Sequence, residues 1–204
     1  TLDPVDRPVF TPETIDQQAA IRRALSERTD LAIAKKNIEA LLDALALLAP
    51  EWPELQLTIA GAGTEPYEAA LRQRARDRGI DARVHWAGHV SGTQKERAFA
   101  EADVFVLPSF SENFGIAAAE ALAHGLPCVL AHGVAISRDV QAAGAGVAVE
   151  PTAQAIAAGL RRVLADAASR ARMSEAASRL AREQFSLETM GARLEQLYRG
   201  LLAR

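Results

Sequence analysis

Two glutamates, Glu112 and Glu120, stand eight residues apart in the stretch Pro-Ser-Phe-Ser-Glu-Asn-Phe-Gly-Ile-Ala-Ala-Ala-Glu that fills positions 108–120. The stretch follows the apolar run Val-Phe-Val-Leu at 104–107 and continues into an alanine-rich segment. It therefore reads as a strand end, a loop over 109–113 and a helix starting near Phe114, with Gly115 in its first turn. Unpaired amides and the positive end of a helix dipole suit a phosphate or a developing anion. Gly115 and the small residues Ala117, Ala118 and Ala119 keep side-chain bulk away from such a ligand. Glu112 in the loop and Glu120 two turns into the helix would bracket it, and carboxylates accept hydrogen bonds from vicinal hydroxyls of a sugar or ribose. The alternative reading is that both glutamates are solvated surface charges.

Three further turns carry candidate groups. The segment Ala-Gly-Ala-Gly-Thr-Glu at 60–65 spaces Gly61 and Gly63 as a tight turn near a nucleotide would, although no third glycine completes a dinucleotide fingerprint. A plain strand-to-helix turn is the competing account. Gly88, His89 and Val90 could present backbone groups to a base edge. Lys35 and Lys36 precede Asn37, a natural helix N-cap, so Lys36 in the loop before a helix could pair with a phosphate or could simply be solvated. No metal site is expected at histidines 85, 89, 124 and 132, and Ser109 and Ser111 lie in no nucleophile elbow.

The elements that must position these turns alternate in period. Strands are expected at 31–34, 55–60, 83–87, 104–107, 128–130 and 146–149, with the fourth of these buried on both sides. Helices are expected at 14–28, 38–48, 68–78, 94–102, 114–123, 137–143, 153–164, 168–183 and 187–202. Strands alternating with helices at this spacing imply βαβ units and a parallel sheet covered on both faces. The fold class is thus α/β, a doubly wound Rossmann-like sheet, whose ligands bind at the carboxyl ends of the strands. A proline-bearing segment over residues 1–13 reads as a linker, residues 14–185 as the domain, and residues 186–204 as a closing helix.

Composition excludes several classes. The 204 residues are 49% hydrophobic and 24% charged with a net charge of -3, enough apolar content for one core and no basic tract for nucleic acid. Cys128, the single cysteine, lies in an apolar run, which excludes a disulfide framework and predicts a buried strand thiol. With no apolar stretch of about 18 residues, a cytoplasmic protein is the expectation.

In this order the turns resemble the C-terminal donor-binding domain of GT-B glycosyltransferases of family 4. Residues 108–116 with Glu-Ala-Leu-Ala-His-Gly-Leu-Pro at 120–127 look like that family's Glu-x7-Glu motif and the following glycine-proline turn. The segments at 59–65, 84–90, 100–107 and 144–146 match in support, and residues 5–12 look like its interdomain entry segment. The resemblance implies the C-terminal half of a GT-B fold and a nucleotide-diphosphate-sugar donor. It implies that Glu112 is the catalytic-site residue, holding the donor sugar and diphosphate with the backbone of Asn113, Phe114 and Gly115. Glu120 would take the ribose hydroxyls, Lys36 the diphosphate, and the backbone near His89 and Val90 the base. Gly61, Gly63 and Ile116 complete the donor-binding set.

Such enzymes retain anomeric configuration without a metal or other cofactor, the leaving diphosphate being stabilised by cationic side chains and the helix N-terminus. The acceptor would be bound by an N-terminal domain that these residues do not include. The full-length protein would then work in the cytoplasm or peripherally at the inner face of the membrane, while this segment alone would be inactive and could dimerise through its exposed surface. Two departures accompany the likeness. The family's Gly-Arg after the first strand is missing, which leads to the expectation of extra arginine-bearing residues between Leu31 and Lys35, and the N-terminal half is absent. A non-catalytic nucleotide-sugar or interaction module, and a GT-B nucleotide-sugar epimerase or phosphorylase, are the rival readings.

Overall fold

A computed structural model describes the backbone of residues 29–202 and the side chains of residues 37–201 apart from Leu187. The expected linker at 1–13 and helix at 14–28 lie outside the described residues. The first element is a single helix, α1 (Thr29–Leu48). This corrects the expected strand at 31–34, the loop position of Lys36 and the capping role of Asn37. Its physical cause is local. No glycine or proline occurs from Thr29 to Ala49, and alanine, leucine and lysine all favour helix, so nothing in that run stops it. The helix runs through the positions between Leu31 and Lys35 where arginine-bearing residues were expected.

Asn37 consequently lies inside the helix, 4% exposed, and its Oδ1 is buried without a hydrogen-bond partner. A buried unpaired acceptor costs about 1–3 kcal/mol. Asn37→Leu is therefore expected to raise the unfolding free energy by about that amount, read as a higher urea midpoint at constant m-value. A lower midpoint would show that the amide contributes more than its unpaired oxygen takes away.

The strands follow in alternation with helices: β1 (Leu57–Ala60), α2 (Glu65–Asp77), β2 (Val84–Gly88), α3 (Gly92–Ala100), β3 (Phe105–Leu107), α4 (Ile116–Ala123), β4 (Cys128–Ala131), α5 (Ser137–Ala142) and β5 (Gly146–Val149). Two long helices, α6 (Ala153–Leu164) and α7 (Ala167–Leu180), lead through a π-helical turn at Ala181–Phe185 to α8 (Leu187–Leu202). Their starts are legible locally. Thr152 Oγ1 accepts the Ala155 amide, and the Asp166 carboxylate accepts the amides of Ala168 and Ser169.

All strand pairings are parallel, β1 with β2 and β3 with β4 with β5. The fold is the expected α/β one with helix-flanked parallel strands, but it is built on two sheets. In a doubly wound order 3-2-1-4-5-6 the first strand of the chain lies in the middle. The segment read as that strand is helical here, and the described residues place no strand between β1 and β3. This explains a second correction. Phe105, Val106 and Leu107 are each only half-buried, although Phe105 and Leu107 pack on one apolar cluster and Val106 on another. Both faces of β3 are covered and one of its edges is unpaired. Strand β4, paired on both sides, is 0% exposed at all four of its residues.

Helix α1 spans the seam. Leu41, Ala44 and Leu48 join Val129, Ile156 and Val163 in a cluster over the larger sheet. Leu42 and Leu45 join Leu71, Ile80 and Val84 over the smaller one. Asp43 reinforces the second contact, because its Oδ1 and Oδ2 accept Arg74 Nε and Nη2 at 3.0 and 2.6 Å, and Oδ1 also accepts Arg78 Nε at 2.9 Å. Burial by itself would push the Asp43 carboxyl up, but the two guanidiniums together outweigh it and hold it below the usual carboxylate range. Burial also pushes the Cys128 thiol up, as suits an inert strand cysteine.

The apolar stripe of α8 has little of the domain beneath it. Met190, Leu194, Leu197 and Leu201 are all at least half exposed. The closing helix thus does not pack its stripe on its own domain. Among the described residues no helix is long and apolar enough to cross a membrane.

Candidate nucleotide-sugar site

The turn after β3 is built by four local constraints. Pro108 is buried at the strand end. The Glu112 amide donates to the Gly133 carbonyl at 3.0 Å and the Glu112 carbonyl accepts the Ala135 amide at 3.1 Å, so the loop is zipped to the turn after β4. The Phe114 ring meets Phe185 edge-on, with centroids 5.6 Å apart at 90°. Gly115 then reverses the chain with φ 88°, a left-handed conformation that side chains disfavour, and an added Cβ would lie 2.9 Å from Val134 Cγ1.

Gly115 is therefore the N-cap of α4, correcting its expected place in the first turn, because a left-handed residue cannot continue a right-handed helix. Both Ala118 and Ala119 amides turn back to its carbonyl, at 2.9 and 3.0 Å. The amides of Ile116 and Ala117 thus precede the helical ladder and are the groups a helix N-terminus offers to an anion. Glu112 and Asn113 are exposed beside it, as are Phe110 at 41% and Ile116 at 69%. The Phe114 side chain is anchored inward, which leaves its backbone at the loop surface.

Glu120 sits one turn into α4, and its Oε1 accepts Lys95 Nζ of α3 at 2.6 Å, with each side chain 37% exposed. The turns after β1 and β2 also meet, since the Gly61 amide donates to the Gly88 carbonyl at 2.7 Å and His89 follows, exposed, with Val90 half-buried. The structure brings Gly61 beside the turn carrying His89 and Val90, and places Glu112, Asn113, Gly115 and Ile116 around one helix N-terminus. Gly63 differs from expectation, because its amide already donates to Glu68 Oε1 at 2.8 Å. Lys36 lies in the backbone of α1, and its side chain is outside the described residues.

Sequence reasoning missed Lys95 and Glu68. Glu68 had no signal beyond its place five residues after Gly63. Lys95 had one: it stands four residues before Phe99, as Glu120 stands four before His124. Among the described residues no group of three His, Cys, Asp or Glu side chains could hold a metal.

The profile of the family described as "Glycosyl transferases group 1" matches residues 32–180 of the chain. The chain belongs to this family. Among curated relatives it is 32% identical over 165 residues to a glycogen synthase of Mycobacterium tuberculosis, covering 80% of this chain and 39% of that protein. It is 36% identical over 117 residues to a D-inositol 3-phosphate glycosyltransferase of Pseudarthrobacter chlorophenolicus, covering 56% of this chain and 28% of that one. The chain thus spans well under half the length of these relatives.

Among solved structures, sucrose-phosphate synthase of Thermosynechococcus elongatus superposes with a TM-score of 0.69 at 27% identity, over 83% of this chain and 43% of that one. The C-terminal domain of a glycosyl transferase group 1 family protein of Francisella tularensis superposes at 0.67 and 21% identity, over 76% of this chain and 82% of that domain. The group 1 chain therefore has the C-terminal fold of a GT-B glycosyltransferase, as its motifs implied.

Proposed function

We propose that this chain is the donor-binding half of a retaining, family 4 glycosyltransferase that transfers a sugar from a nucleoside diphosphate sugar to an acceptor held by an N-terminal half. One observation carries the reading: the N-terminus of α4 opens at the end of β3 with Glu112 on the loop before it and Glu120 one turn inside it. Membership of the group 1 family supports the reaction class, and so do the sugar-transferring names of the relatives. The diphosphate would lie at the amides of Ile116 and Ala117, where the helix end supplies roughly half a positive charge. Glu112 would hold sugar hydroxyls against the backbone of Asn113 and Phe114, and Glu120 the ribose hydroxyls. Lys36 is assigned to the diphosphate by resemblance. No protein nucleophile or metal enters this scheme, because leaving-group charge is met by fixed dipoles and cations. The segment on its own would turn over no donor, having one wall of the cleft.

Glu120→Ala in the full-length protein is expected to weaken binding of the matching nucleoside diphosphate by about 1–3 kcal/mol, the scale of hydrogen bonds to a charged group. Titration calorimetry across uridine, guanosine and adenosine diphosphates reads this directly. Unchanged affinity with an intact fold would leave Glu120 only its ion pair with Lys95. A second reading, a binding module without turnover, is favoured by the unbroken course of α1 through the position where a second diphosphate cation was expected. Sugar transfer by the full-length protein excludes it, and saturable binding without transfer supports it.

A further inference from the structure

Lys95 and Glu120 form one of two matched contacts between α3 and α4. One turn further along each helix, the Phe99 ring stacks on His124 with centroids 5.0 Å apart and planes 27° from parallel. Phe99 is 9% exposed and belongs to the same apolar cluster as Ala118, Ala121 and Leu122 of α4. Residues four apart share a helix face, so the pairs 95 with 120 and 99 with 124, the last being the C-cap of α4, follow one another in the same order along both helices. An isolated exposed ion pair contributes little because its side chains must be ordered to form it. Here the Phe99–His124 stack fixes where both helices stand, and Lys95 Nζ meets Glu120 Oε1 at 2.6 Å.

We propose that Lys95 is a positioning residue that aims the Glu120 carboxylate and makes the site selective for ribose over 2′-deoxyribose. This rests on the donor-site reading above. Lys95 occupies Oε1, which restricts rotation of the carboxylate and commits Oε2 to accepting hydroxyl hydrogens. It also compensates the charge of Glu120, which lies one turn from the helix end where a diphosphate would sit, so that the two anions tolerate each other. A carboxylate without this cation would be free to turn and would repel the diphosphate.

The test measures dissociation constants of the full-length protein for uridine, guanosine and adenosine diphosphates and for their 2′-deoxy counterparts. The wild-type protein is expected to prefer the ribose form of its nucleotide by about tenfold or more, the scale of a lost hydrogen bond to a charged group. Lys95→Met keeps the apolar stem and removes the charge, and it should bring the ratio close to one with the thermal midpoint unchanged. Lys95→Arg should restore most of the selectivity, which a merely structural role would not predict. A Lys95→Met protein that keeps the wild-type ratio overturns the inference and leaves the donor reading standing. A wild-type protein that binds none of the diphosphates overturns both.

Discussion

Gly146→Ala should unfold the domain at a much lower urea concentration than the wild-type chain, with a loss of about 3 kcal/mol or more. Gly146 opens β5 directly opposite Cys128 of β4. A Cβ added there would stand 2.0 Å from the Cys128 carbonyl oxygen and 2.8 Å from its carbonyl carbon and amide nitrogen. Those are backbone atoms, so no rotamer change relieves the overlap. Either the ladder gives up the Cys128 pairing or β5 moves away from the most deeply buried strand of the molecule. Both routes open the clusters on the two faces of β4, to which Leu130 and Val129 contribute. Wild-type stability in this variant would mean that β5 does not approach β4 as described.

Gly133→Ala should act on the site and largely spare the fold. Its Cβ would lie 1.8 Å from the Phe110 carbonyl oxygen and 2.4 Å from the Phe110 carbonyl carbon. The contact belongs to the two loops that Glu112 zips together through the Gly133 and Ala135 backbone. Pushing them apart shifts Glu112 and the approach to Gly115, while β3 and β4 keep their own register of Phe105 to Cys128 through Leu107 to Leu130. Hydrogen bonds weaken steeply once donor and acceptor leave their narrow range of distance and angle. The full-length variant is therefore expected to lose nucleoside diphosphate affinity about tenfold or more, with near-native circular dichroism. Native affinity would show that the loop around Glu112 is not part of the donor site.

Much of the fold was legible in the sequence because periodicity reports burial. The strand at 128–131 is a continuous apolar run and proves buried on both faces, and the helix at 153–164 has the bounds that its pattern predicts. The β3–α4 turn was legible because proline, glycine and small residues each stand where the backbone requires them. Residues 31–34 misled because four alternating apolar residues fit a strand or a helix equally well, and their neighbours, free of glycine and proline, favour the helix. Asn37 misled for the same reason, since it is a cap only if a helix begins there. Lys95 was missed despite its spacing to Phe99, because Glu120 lies 25 residues away and a charge on a helix surface does not announce which neighbouring helix will face it. Gly63 shows the reverse case, a turn glycine of the expected kind whose amide is already taken by Glu68.

The division of the strands into two ladders also determines how the molecule can come apart. Hydrogen bonds that run without interruption across a sheet make its strands open together. Here the β1–β2 ladder ends where it does, and β3, β4 and β5 share a separate one. Loss of the smaller ladder breaks no backbone hydrogen bond of the larger. What ties the two is side-chain packing beneath α1, and such contacts loosen gradually. Two cooperative units are therefore expected, one around β1, α2 and β2 and one around β3 to β5. Amide exchange in β2 would pass through an opening that leaves β4 protected, and a ligand that touched both the α4 N-terminus and the turns after β1 and β2 would draw the two units into a single one.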